Sequence, residues 1–164
     1  MMTECFITLA TYNRWANTRL LEDLIAADDE ALLATETVNF GSIMGILNHL
    51  LLGDQLWLAR FTGQGSAIPS LSDIPFPKLD AFAQARAQED QRILDFVATL
   101  TPAGLRQELR YTNTKNIPFV RPLALCLSHF FNHQTHHRGQ VHALMGRYGL
   151  SPRDIDLIFC PLGE

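Results

Sequence analysis

Cysteine is scarce in this 164-residue chain. The three present, Cys5, Cys126 and Cys160, are odd in number, widely spaced and without a CxxC pair. This excludes a disulfide scaffold and a paired-thiol motif, and reads as reduced thiols in a cytosolic, cytoplasmic protein. Clustered cations are missing as well: net charge is −4, and of thirteen basic residues eleven are arginines scattered singly. No electrostatic footprint for nucleic acid is left. No apolar run approaches the roughly 20 residues that span a bilayer. The opening stretch "MMTECFITLATYNRWAN" carries an early acid and Arg14 in place of a basic leader and apolar core, so it reads as no secretory signal and predicts no membrane association. Repeats, low-complexity segments, GxGxxG, P-loop and GxSxG are all lacking.

What is there suits a globular fold. Apolar residues at 47% and charged residues at 18% are ordinary for one domain covering 1–164. A chain of this size hides roughly 70% of its unfolded surface.

Four segments carry helical periodicity. The first runs from about Thr3, a candidate N-cap, to Ala27. "AADDEALLATETVNFG" is a connection with room for one short helical turn. The second begins after Ser42, a good N-cap, and reaches about Phe61. Its apolar residues, Ile43 to Phe61, cover nearly the whole circumference, so His49 and Asp54 sit in a costly environment and need partners. A Gly- and Pro-rich connection over 62–78 leads to a third helix, Leu79 to Leu100, with one solvated face. "ELRYTNTKNIPFVRP" predicts a small β-hairpin. The fourth helix starts near Pro122 and stops at Gly149. The tail, with Ile155, Leu157, Ile158 and Phe159, is apolar enough to pack back. The fold class is all-α: a four-helix bundle with a small hairpin before helix four.

Five of six histidines lie in "SHFFNHQTHHRGQVH". On a helix His129, His133 and His137 form one row, His136 lies beside it, and His142 lies further round. Two imidazoles at i, i+4 can hold one divalent ion, as in HExxH, although Gln134, Thr135 and His136 intervene here and supply no glutamate base. A third ligand has to come from elsewhere, and His49 is the remaining imidazole. Nitrogen ligands suit zinc, nickel, copper or iron, and three of them leave coordination positions open, as catalytic sites need. The plainer reading is core or solvated histidines. It holds for His142, and His129 and His136 read as supporting groups, substrate contacts or packing. Ferritin-like di-metal sites need ExxH pairs, which are absent. A haem between facing helices lacks CxxCH.

"YNRWANTRLL" (Tyr12 to Leu21), "ILNHLLLGDQLWLAR" (Ile46 to Arg60) and "HFFNHQTHHRGQVHALM" (His129 to Met145), followed by "SPRDIDLIF", resemble the DinB-like family over nearly the whole chain. These are damage-inducible four-helix proteins, unrelated to the DNA polymerase sharing the name. The resemblance implies helices one and four running opposite to two and three. It implies a divalent metal, zinc or nickel foremost, on His49, His133 and His137, and in many members a homodimer. It further implies a stress-linked, metal-dependent enzyme that transfers or isomerises through a low-molecular-weight thiol, acting on small-molecule electrophiles. A hydrolase using activated water and a non-catalytic metal or small-molecule binding protein are the alternatives.

Around that site, Tyr12 and Trp57 are candidates to line a pocket, or aromatic core. Asp54 and Arg138 are candidate buried partners that orient the ligands, or a structural ion pair. Asn13, Asn17 and Asn132 can cap, bridge helices or touch a ligand.

Overall fold

Apolar residues at three- and four-residue spacing become five helices and one hairpin in the computed structural model, which describes residues 2–34, 40–65, 68 and 70–162. Helix α1 is Met2–Ala27, α2 is the short Glu30–Ala34, α3 is Ile43–Thr62, α4 is Leu79–Ala98 and α5 is Leu123–Arg147. Strands β1, Glu108–Thr112, and β2, Pro118–Pro122, pair antiparallel from Glu108↔Pro122 to Thr112↔Pro118. The Asn113 carboxamide closes the hairpin tip by accepting from the Lys115 and Ile117 N–H groups at 2.9 and 3.0 Å.

Helix boundaries follow local chemistry. The Ser42 hydroxyl accepts from Gly45 N–H at 2.9 Å and caps α3, as expected. Thr3 is no cap, because α1 already begins at Met2 and takes Thr3 into its first turn. Helix α4 ends at Ala98, short of Leu100, where the Thr99 hydroxyl donates to Phe96 O at 2.7 Å and tightens the last turn. Pro122 closes β2 and flanks α5, whose first helical residue is Leu123. Gly149, at φ +90°, ends α5.

Side-chain pairings fix the helix directions. Phe6 shares one core cluster with Ile93 and Val97, and Leu20 and Leu24 share the other with Phe82, so α1 and α4 are antiparallel. His49 meets His133 and His137 while Trp57 meets His129, so α3 and α5 are antiparallel too. Phe6 stacks on Phe131 and Asn13 bonds Arg138, which makes α1 and α5 parallel. Helices one and four of the bundle (α1, α5) thus run opposite to two and three (α3, α4).

Two apolar clusters occupy the ends of the bundle. One gathers Leu20, Leu24, Ile46, Leu51, Phe82 and Met145; the other Phe6, Leu58, Ile93, Leu127, Phe130 and Phe131. Between them every long helix contributes buried polar side chains: Asn13 and Asn17 from α1, Asp54 from α3, Arg86 and Asp90 from α4, Gln134 and Arg138 from α5. Arg86 bridges Asp54 at 2.7 Å and Asp90 at 3.0 Å. Asn17 donates to Asp90 at 3.0 Å and Asn13 at 3.2 Å. Arg138 donates to the Asn13 and Asn17 carbonyl oxygens, and Gln134 to Asp54. Asp54 and Asp90 face Arg86 and Arg138, and the buried Glu89 beside them pairs with Arg92, so opposite charges are matched, the condition for burying charge.

The tail returns to the bundle mainly through polar contacts. Arg153 bridges Glu22 and Asp23, and Arg19 donates to Asp154 O at 3.0 Å. Among the described tail residues only Ile155 and Cys160 join the Tyr12 and Ala16 cluster; Leu157, Ile158 and Phe159 stay exposed, contrary to the apolar docking expected. Among the described residues no helix is long and apolar enough to cross a membrane.

Candidate metal centre

Helices α3 and α5 are antiparallel neighbours, so one imidazole from α3 lies between two that stand one turn apart on α5. His49, His133 and His137 each present a ring nitrogen within 4.8 Å of the others. The Nε2 atoms of His49 and His133 are 3.2 Å apart. Two nitrogens about 2.05 Å from one cation stand about 2.9 Å apart at a right angle and about 3.3 Å at the tetrahedral angle. The separation already falls in that interval. His49 and His137 are buried and His133 is half-buried.

Two of the three rings are held in the tautomer a cation needs. His49 Nδ1–H donates to Leu71 O at 2.9 Å, and His137 Nδ1–H donates to Gln140 Oε1 at 2.7 Å. Each bond leaves Nε2 with a lone pair, and outer partners of this kind orient metal-bound histidines. Burial pushes all three pKa values down, His133 to about 3 because His137, His49, His129 and His136 add to the effect. Three neutral imidazoles at physiological pH are nitrogen donors ready for a divalent ion. The donor set, tautomers and spacing fit such a cation.

Packing supports the arrangement. Phe40 stacks on the His49 ring, centroids 3.8 Å apart at 19°, and meets His137 edge-on at 5.5 Å. Its backbone is left-handed at φ 58°, uncommon for a bulky residue. Gly45 makes room for it: a Cβ there would come within 1.8 Å of Phe40 O. Gly53, one turn beyond His49, faces His133, and a Cβ there would touch His133 Cε1 at an ordinary contact distance of 3.4 Å.

The other expected residues divide. His129 lies 5.9 Å from His133, centroid to centroid, and edge-on to Trp57 at 5.2 Å; His136 lies 4.8 Å from His137. Both are exposed. Trp57 lines a cavity with His129. Tyr12 turns away: its hydroxyl donates to Ile155 O at 2.9 Å and its ring faces Arg138 at 5.1 Å. Asp54 and Arg138 bond neither each other nor a histidine. Asp54 takes Arg86 and Gln134, and Arg138 takes Asn13 and Asn17, so they hold the helices together instead of orienting the ligands. Asn132 is exposed, and His142 is half-buried with Nε2 at 3.1 Å from Arg153 O. Sequence reasoning missed Leu71, Gln140, Phe40 and Arg86. Only Gln140 had a signal, its i+3 position after His137.

A sequence profile of the DinB family matches residues 1–161. Protein DinB of Bacillus subtilis (strain 168) is 26% identical over 167 aligned residues, which cover 95% of this chain and 94% of that protein. The crystal structure of a DinB-like protein from Bacillus cereus has a TM-score of 0.68 at 20% identity, covering 92% of this chain and 95% of the other. At that identity the likeness is one of fold.

Proposed function

Because the chain belongs to the DinB family, we propose that His49, His133 and His137 hold a divalent transition ion, zinc or nickel, in a metal-dependent transferase that joins a low-molecular-weight thiol to a small electrophile. The observation that carries this reading is the convergence of three neutral imidazoles, two of them fixed through Nδ1, with His133 half-buried and the neighbouring His136 exposed. A cation held by the three histidines would supply Lewis acidity, which lowers the pKa of a nearby thiol toward neutral pH. The protein's own residues do the rest. Leu71 O and Gln140 orient two rings, and Phe40 covers the His49 face and keeps water from it. The exposed His129 and His136 flank the cluster, 5.9 Å from His133 and 4.8 Å from His137 between ring centroids, where they can contact an incoming thiol.

Elemental analysis of protein purified without chelator tests the site. Stoichiometric metal is expected in the native chain and in His142→Ala, and only a trace in His133→Ala. Full metal in His133→Ala would overturn the ligand set. A screen of small thiols with electrophiles, followed by thiol consumption, then tests the reaction. Metal without turnover of any thiol would leave a binding protein.

A further inference from the structure

One helical turn along α5 from His133 lies a second feature that the histidine cluster does not use. Trp57, Tyr111, Arg121, Leu125, Cys126 and His129 line an open cavity of about 300 Å³. Two walls are aromatic: Trp57 and Tyr111 stand 5.2 Å apart at 59°. Arg60 stacks at 4.7 and 4.8 Å from those two rings and donates to Thr112 O at 2.8 Å, which ties the hairpin to α3 and fixes both walls. Cys126 is buried and its thiol pKa is pushed up by burial, so it forms wall and not nucleophile.

The charge is of one sign. No acidic residue lines the cavity, whereas Arg121 does. Arg121 bonds only its neighbour's carbonyl, Val120 O at 2.8 Å, and lies over Phe119 at 5.2 Å; among the described residues it has no carboxylate partner. Flat apolar walls with one unpaired guanidinium recognise a planar apolar body bearing a carboxylate. His129 joins the two features, its ring 5.2 Å from Trp57 and 5.9 Å from His133.

We propose that this cavity binds the electrophilic substrate as a small organic anion, its carboxylate on Arg121, its body laid across the adjoining Trp57 and Tyr111 rings, and its far end directed past His129 toward the three histidines. The inference rests on the reading of those histidines as the reactive centre.

Benzoate is the probe and benzyl alcohol its neutral counterpart. Binding is followed by Trp57 fluorescence in a Trp15→Phe background and by calorimetry. The titrations are made on the native chain and on His133→Ala, with metal content measured on the same samples. Benzoate is expected to bind more tightly than benzyl alcohol, to weaken with added salt, and to bind His133→Ala as it binds the native chain. Arg121→Gln, at an exposed strand position, is expected to lose about threefold to tenfold in benzoate affinity and nothing for benzyl alcohol. Equal binding of the two probes, or no effect of Arg121→Gln, overturns the pocket. So does loss of benzoate binding in His133→Ala, which would place the carboxylate at the histidines. Benzoate binding to a chain that holds no metal would sink the histidine reading and leave the pocket standing.

Discussion

Glycine-to-alanine substitution inside a helix ordinarily stabilises, by about 1 kcal/mol, because the backbone has less freedom to lose. At Gly45 the opposite sign is expected. The added methyl would lie 1.8 Å from Phe40 O and 2.9 Å from Phe40 C, where real Cβ atoms keep at least 3.0 Å from their neighbours. Phe40 O must therefore move by more than 1 Å. It cannot do so freely, because the Ser42 cap and the Ile46 N–H to Ser42 O bond, both 2.9 Å, anchor the same turn, while Phe40 is stacked on His49. Overpacking costs about 1–3 kcal/mol and a disturbed cap about 1 kcal/mol. Set against the propensity gain, Gly45→Ala should destabilise by about 1–3 kcal/mol, lowering the melting temperature by about 3–10 °C for a domain of this size. Gly139→Ala on α5 is the control: nothing lies within 4 Å of its Cβ, and a gain of about 0.5–1 kcal/mol is expected. Thermal melts and urea midpoints at constant m decide both. Metal content at saturation should not change, since Gly45 offers no ligand. A Gly45→Ala chain as stable as the native one would refute the steric account of the α3 entrance and of Phe40's place on the histidine.

Removing the outer partner of His137 by Gln140→Ala should weaken cation affinity by about 10–100-fold, read by chelator competition, with little change in unfolding; equal affinity would show that the Nδ1 bond is unimportant. In chelated protein, His133 is held at about 3 in the fold against 6.5 in the unfolded chain. Its contribution is intact above pH 6.5 and is lost as pH falls toward 3, at no more than about 1.4 kcal/mol per pH unit. Asp54, raised from 3.8 to about 7 chiefly by burial, works the other way, favouring the fold below pH 3.8 and losing that as pH rises through 7. The His133 effect is therefore to be read as native minus His133→Gln in urea midpoint across pH 4–7; a difference that stays flat would contradict the depressed pKa. Asp54→Ala leaves Arg86 buried with Asp90 alone and should cost about 3–5 kcal/mol, measured by urea unfolding; a loss under about 1 kcal/mol would mean that the polar layer is not holding the helices.

The four long helices could be read from the chain because their apolar periods are long, and α3 announced its start with Ser42. The histidines could be read because a side chain at i, i+4 has one geometry on any helix. What escaped was of two kinds. Arg86 sits on α4, whose mixed composition suggested solvated charge; that Arg86 points inward to Asp54 and Asp90 depends on helix rotation, which composition does not carry. Asp54 and Arg138 were rightly expected to be buried, either orienting the ligands or in a structural ion pair; their partners Arg86, Gln134, Asn13 and Asn17 put them in the structural role, and the chain alone does not reveal which partner is nearest. Leu71 acts through its carbonyl oxygen, which every residue type possesses, so no letter marks it. The tail's exposed Ile158 and Phe159 show the same limit: apolar content states what can be buried, not what finds a partner.

The bond from His49 to Leu71 O has a consequence for how this chain can change. A main-chain oxygen survives almost any substitution at its own position, so identity at residue 71 is free to drift. An inserted or deleted residue in that crossover would move the oxygen itself and rotate the imidazole it holds. Length there, and not spelling, is what descendants of this chain must inherit.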